Sequence, residues 1–95
     1  MTIKIWNLTT SQLMRTLSGH SSWIWSLAIL PNHSLVSGFD DNTITVWNTT
    51  TGNEFKMLTG HNNAVWSLAF LPDETLVSGS GDSTIKIWSN ISIYT

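Results

Sequence analysis

Apolar and β-branched residues fall in short runs along this chain, and the polar residues between the runs carry turn chemistry. Trp23 to Leu30 and Val65 to Leu71 are apolar or small at nearly every position, which predicts strands covered on both faces. Ser34 to Gly38 and Thr75 to Gly79 predict a second strand after each of these. Thr2 to Trp6, Thr43 to Trp47 and Thr84 to Trp88 are dominated by Thr and β-branched residues and predict a third. Leu13 to Leu17 and Glu54 to Leu58 alternate less cleanly and predict a fourth. Turn residues separate the runs at Pro31-Asn32, Asp40 to Asn42, Thr51 to Asn53, Pro72-Asp73 and Gly81 to Ser83. No run has a helical period. The predicted unit is a four-stranded antiparallel meander with short hairpins.

The unit repeats. Trp6, Trp47 and Trp88 are each 41 residues apart, as are Gly19-His20 and Gly60-His61. Trp25 to Ala28 recurs as Trp66 to Ala69, Leu35 to Gly38 as Leu76 to Gly79, and Asp41 as Asp82. Residues 1–41 and 42–82 are identical at 20 of 41 positions without a gap. A fixed period of this length signals a repeat architecture.

Gly-His, an apolar strand, Leu-Val-Ser-Gly, an Asp turn and a Thr-Ile strand ending in Trp together resemble the WD-repeat family over residues 2–88. The period agrees with the roughly 40–45 residues of one propeller blade. The resemblance implies an all-β fold, a partial β-propeller of four-stranded antiparallel blades with a 41-residue repeat. Residues 1–18 supply the outer strands of an incomplete blade, 19–59 a full blade, and 60–95 a second, nearly complete one. Ile91 to Tyr94 is the expected fourth strand of the last. The chain departs from the family's Trp-Asp dipeptide, reading Trp6-Asn7, Trp47-Asn48 and Trp88-Ser89. Phe39 replaces a small residue after Ser37-Gly38, and the turns after Pro31 and Pro72 lack the usual glycine.

The resemblance also implies a structural hydrogen-bonded set in each repeat: His20, Ser37, Asp41 and Trp47, then His61, Ser78, Asp82 and Trp88. A buried indole N–H needs an acceptor, and a buried polar network is tolerable only when every member is satisfied. Removing one member of a fully buried charged set costs about 3–5 kcal/mol. Ser, His and Asp also make an acyl-transfer triad, so a hydrolase using Ser78, His61 and Asp82 is the competing reading. Neither serine sits in a strained elbow, and a constellation repeated in register belongs first to the architecture. Gly79-Ser80-Gly81 opens onto another strand and not a helix, so it reads as a hairpin and not as a phosphate loop. His20, His33 and His61 do not form a metal-ligand spacing, and no cofactor is expected.

Six tryptophans raise the question of an aromatic cage for a cation. Trp6, Trp47 and Trp88 belong to the repeat, and Trp25 and Trp66 are expected to pack in the core. Trp23 has no counterpart, because Ala64 occupies the equivalent position. In propellers that this chain resembles, the loop after Gly-His and the Asp turn open on the face that receives partners. That implies a rim of Ser21, Ser22, Trp23, Asp40, Asn62, Asn63, Ala64 and Gly81. Trp23 is its first contact candidate, with packing against a neighbouring blade as the alternative.

Charge narrows the partners. Four cations, Lys4, Arg15, Lys56 and Lys86, are scattered, and the formal net charge is −2. Nucleic acid and anionic membranes, which need clustered positive charge, are not expected partners. Cysteine is absent, and no secretory leader pattern precedes the first run. The expected location is the cytoplasm or the nucleus, with the sequons at Asn7, Asn32, Asn48 and Asn90 unused. Two repeats and a remnant fall short of the roughly four to eight blades that close a propeller. Three arrangements are therefore expected to be distinguishable: a fragment of a longer propeller protein, several copies closing one ring, or a partial propeller docked on a partner. The expected function is a protein–protein or peptide-binding scaffold without catalysis, alone or as the sensor repeats of a larger multidomain enzyme.

Overall fold

The computed structural model describes residues 1–18, 22–30, 34–71 and 75–89. Nine strands follow one another in these residues: β1 Ile3–Asn7, β2 Gln12–Leu17, β3 Ile24–Ile29, β4 Leu35–Phe39, β5 Ile44–Trp47, β6 Glu54–Leu58, β7 Val65–Phe70, β8 Leu76–Ser80 and β9 Ile85–Trp88. They form an antiparallel pair β1-β2, a four-stranded meander β3-β4-β5-β6 and a three-stranded meander β7-β8-β9. The fold is all-β, a partial propeller. The expected strand at Ile91 to Tyr94 and the Pro31 and Pro72 turns lie outside the described residues.

Turn chemistry sets the hairpins. The side-chain oxygen of Asn7 accepts the N–H groups of Thr9 and Thr10, and that of Asn48 accepts those of Thr50 and Thr51. Asparagine thus caps the turn at the two positions, 7 and 48, where the Trp-Asp dipeptide would place an aspartate. Ser11 and Gly52, 41 residues apart, close these two turns with φ of 62° and 81°.

Burial alternates with a period of two along β1, β3 and β9, whereas β4 and β5 are buried throughout. Ile44 and Val46 of β5 join Leu30, Val36, Val65 and Leu76 in a core between the second and third sheets. Trp47 of the same strand joins Ile3, Leu17, Leu35 and Phe39 in a core between the first and second. Every residue of β5 is therefore buried, the mark of a strand covered on both faces. Fully burying an aliphatic side chain such as Ile44 or Val46 contributes about 1.5–3 kcal/mol. The equivalents of Ile44 and Val46 in the third sheet, Ile85 and Ile87, are 73% and 71% exposed.

The close packing of the sheets depends on Gly38. A Cβ there would lie 2.8 Å from Ser26 Oγ, 2.9 Å from Val65 Cγ1 and 3.0 Å from the Val65 carbonyl oxygen. The middle sheet can approach β7 this closely only without a side chain at that position.

Candidate functional site

The Asp turn between β8 and β9 brings four repeat residues together. His61 Nδ1 lies 2.9 Å from Asp82 Oδ2, and His61 Nε2 lies 2.7 Å from Ser78 Oγ. Trp88 Nε1 donates to the same Ser78 oxygen at 2.9 Å. Donor chemistry orders the chain of protons. An indole only donates and an ionised carboxylate only accepts. Ser78 therefore accepts from Trp88 and donates to Nε2, and His61 donates from Nδ1 to Asp82. The Asp82 carboxyl is held well below the usual carboxylate range, first by the Thr84 hydroxyl and then by the Asn62 backbone N–H, with His61 and the Thr84 N–H adding to it.

The middle repeat shows the same arrangement where it is described. Trp47 Nε1 donates to Ser37 Oγ at 2.8 Å, and Asp41 accepts the backbone N–H of Thr43 at 3.1 Å and its hydroxyl. His20 lies outside the described residues. The role of Thr84, and of Thr43 before it, goes beyond the family set. The Asp-x-Thr spacing at 41–43 and 82–84 is the signal that would have found it.

Ser78, His61 and Asp82 have the distances of a nucleophile, a base and an orienting acid. Ser78 is nevertheless fully buried, and its oxygen already holds the Trp88 indole proton. A substrate carbonyl carbon has no approach to that oxygen in this arrangement, so the geometry is that of a brace.

The residues expected to form the rim lie at these same turn ends. Asp40 donates its backbone N–H to the Trp23 carbonyl at 2.9 Å, and Gly81 donates likewise to Ala64 at 3.0 Å. These bonds bring the β4-β5 and β8-β9 turns beside the segments leading into β3 and β7. Trp23 is 57% exposed, and Asp40 and Asn62 are exposed beside their turns. Ser21 lies outside the described residues.

Two expectations are corrected, the core role of Trp25 and Trp66 and the contact role of Ala64. Trp25 and Trp66 are not core residues, being 47% and 58% exposed. The register of β3 on β4 shifts between Ile24 and Ser26, and that of β7 on β8 between Val65 and Ser67. Trp25 shares the exposed face of β3 with Leu27 and Ile29, and Trp66 is exposed together with Ser67 at the shift in β7. Trp25 instead donates its indole N–H to Asp40 Oδ1 at 2.9 Å and meets Trp23 edge to face, with centroids 6.0 Å apart. Ala64 is not a contact residue, since it is buried to 4% exposure. Trp6, at 53% exposure, is not buried as Trp47 is.

The family model described as "WD domain, G-beta repeat" (WD40) matches residues 11–48 and 52–89. The chain belongs to the WD40 family. Among solved structures, the WD40 β-propeller domain of Doa1 aligns with a TM-score of 0.87 at 28% identity, covering 94% of this chain and 30% of that one. The computationally designed Ika4 protein aligns with a TM-score of 0.79 at 40% identity, covering 92% of this chain and 53% of that one. The WD40 chain described here thus spans well under two thirds of either structure. No curated protein sequence matches it. WD40 repeats generally serve as protein-interaction scaffolds and are typically non-catalytic.

Proposed function

We propose that this WD40 chain is a binding platform for another protein or peptide, engaged through the turn-end rim of its middle sheet. The contact residues are Ser22, Trp23 and Asp40, flanked by Asn62, Asn63 and Gly81 of the next repeat. The observation that carries the reading is Trp23. A large aromatic side chain is 57% exposed where the next repeat has a buried alanine, Ala64. An exposed aromatic with a polar rim is the composition of an interaction hot spot. Four scattered cations and a net charge of −2 favour a protein over nucleic acid or a membrane surface. The chain is read as an intracellular scaffold without catalysis of its own. Its exposed Ile85 and Ile87 are read as the seat of a further blade, from a longer chain or a second copy.

Trp23→Ala tests the platform. Captured partners, identified by mass spectrometry after crosslinking in cell extract, should fall away from the variant while the thermal midpoint stays within about 2 °C, as expected of a surface substitution. Unchanged capture, or a collapse in stability, would remove Trp23 from the rim. Labelling of the chain by a serine-reactive phosphonate at Ser78 would restore the hydrolase reading.

A further inference from the structure

The two repeats serve as each other's control at the rim. Positions 23 and 40 of the middle repeat correspond to 64 and 81 of the next, and both pairs make the same backbone hydrogen bond, at 2.9 and 3.0 Å. Ala64 and Gly81 show that this turn forms with almost no side chain at either position. The turn therefore does not need the Trp23 and Asp40 side chains, which stand at two hydrogen-bonded positions. At the shared tryptophan the repeats also diverge. Trp66 lies over Gly81, with its ring 3.2 Å from where a Cβ would stand. Trp25 faces a carboxylate instead and donates to its Oδ1 at 2.9 Å.

That donation fixes the Asp40 carboxylate against an indole edge. Its second oxygen accepts no hydrogen bond among the described residues, and Asp40 forms no ion pair there. Trp23 stands at 80° to Trp25, both rings about half exposed. Trp23 also lines two open depressions. One, of about 370 Å³, is bounded by Met1, Thr2, Ile24 and Trp25. The other, of about 340 Å³, is bounded by Ser22, Asp40 and Asp41. None of the four Lys and Arg side chains lines either one, and of the two depressions only the first borders Met1 with its amino group. Indole faces carry negative potential, and a carboxylate beside them adds full negative charge.

We propose that Trp23, Trp25 and Asp40 form a recognition site for a basic side chain, lysine or arginine, of a partner peptide. The cationic head lies against the Trp23 face and hydrogen-bonds the open oxygen of Asp40. This rests on the platform reading and names the chemistry of its ligand.

The test is an NMR titration of the full chain, following the tryptophan indole N–H resonances. The probes are acetylated, amidated peptides Gly-Ser-Leu-X-Leu-Ser-Gly with X as lysine, arginine or norleucine. The lysine or arginine peptide should shift the Trp23 and Trp25 signals in a saturable way and leave Trp66 in place. Norleucine should bind at least fivefold more weakly. Asp40→Asn keeps an acceptor for Trp25 and removes the charge, and it should weaken the basic peptide at least fivefold. Trp23→Ala should do the same, and Trp66→Ala should not. Equal binding of the norleucine peptide, indifference to Asp40→Asn, or shifts centred on Trp66 would each overturn the proposal. A cellular partner that is lost with Trp23→Ala but unaffected by Asp40→Asn would leave the platform standing and reject the cation site.

Discussion

Ser78 Oγ lies 2.7 Å from His61 Nε2 and is fully buried. This one hydroxyl serves two partners, since Trp88 donates to it while it donates to the imidazole. Ser78→Ala removes both bonds and fills the site with a methyl group that offers neither. An unsatisfied buried polar group costs about 1–3 kcal/mol, and the expected loss of stability falls in that range. Chemical denaturation of the variant and the native chain measures it. A change below about 0.5 kcal/mol, the scale of an ordinary surface substitution, would mean that the brace does not hold the blade.

The Asp82 arm of the brace depends on pH in a direction fixed by its pKa. Native-state hydrogen bonds lower the carboxyl below its ordinary value of 3.8, with the Thr84 hydroxyl the largest cause. A carboxyl lowered on folding contributes stability that is fully present above its unfolded pKa and is lost as pH falls through the folded one. The native chain should therefore be more stable than Asp82→Asn at pH 6, and the gap should narrow steadily below 3.8. Thr84→Val should raise the Asp82 pKa toward the ordinary value in a carboxyl NMR titration. Melting curves whose gap is the same at pH 6 and pH 3 would contradict the assignment.

Much of this structure was legible because each signal recurred. Leu35 to Gly38 and Leu76 to Gly79 named the same strand twice, and both are strands. The braces could be named only through the family resemblance, which supplied the partners of Ser78. Trp25 and Trp66 were misread for a physical reason. Their equivalent places in a strand with apolar residues on both faces suggest a core role, but Trp25 lies on an exposed face with Leu27 and Ile29, and Trp66 is exposed beside Ser67. Ala64 was misread because its neighbours in the rim are polar, whereas its own methyl group is small enough to be buried. The pairing of Trp25 with Asp40, 15 residues apart, is a side-chain contact that no motif spacing signals.

Gly38 and Gly79 are equivalent in the repeat but not in their surroundings. Among the described residues, a Cβ at Gly79 would meet Ser67 Oγ alone, at 2.8 Å, the end of a side chain that can rotate away. At Gly38 it would also meet the Val65 backbone carbonyl at 3.0 Å, which moves only with the neighbouring sheet. Gly38→Ala should cost about 2–3 kcal/mol, the upper part of the range for overpacking, and Gly79→Ala less than about 1 kcal/mol. Thermal unfolding of the two variants compares them directly. Equal losses would show that the sheets slide past each other more freely than this packing implies.

Ser11 offers the opposite case, a position where the repeat itself supplies a better residue. Its φ is 62°, and its counterpart is Gly52 at 81° in a turn with the same bonds. Ser11 donates to the Asn7 carbonyl at 2.8 Å, as Gly52 does to Asn48. A left-handed conformation costs an L-residue about 1–2 kcal/mol. Glycine relieves that cost but gives back about 0.5–1 kcal/mol through its greater freedom when unfolded. Ser11→Gly should therefore stabilise the chain by about 0.5 kcal/mol, a rise in Tm of about 2–4 °C. Differential scanning calorimetry resolves a change of that size. A lower Tm would mean that the Ser11 side chain makes up for its backbone strain in a way that Gly52 never needs to.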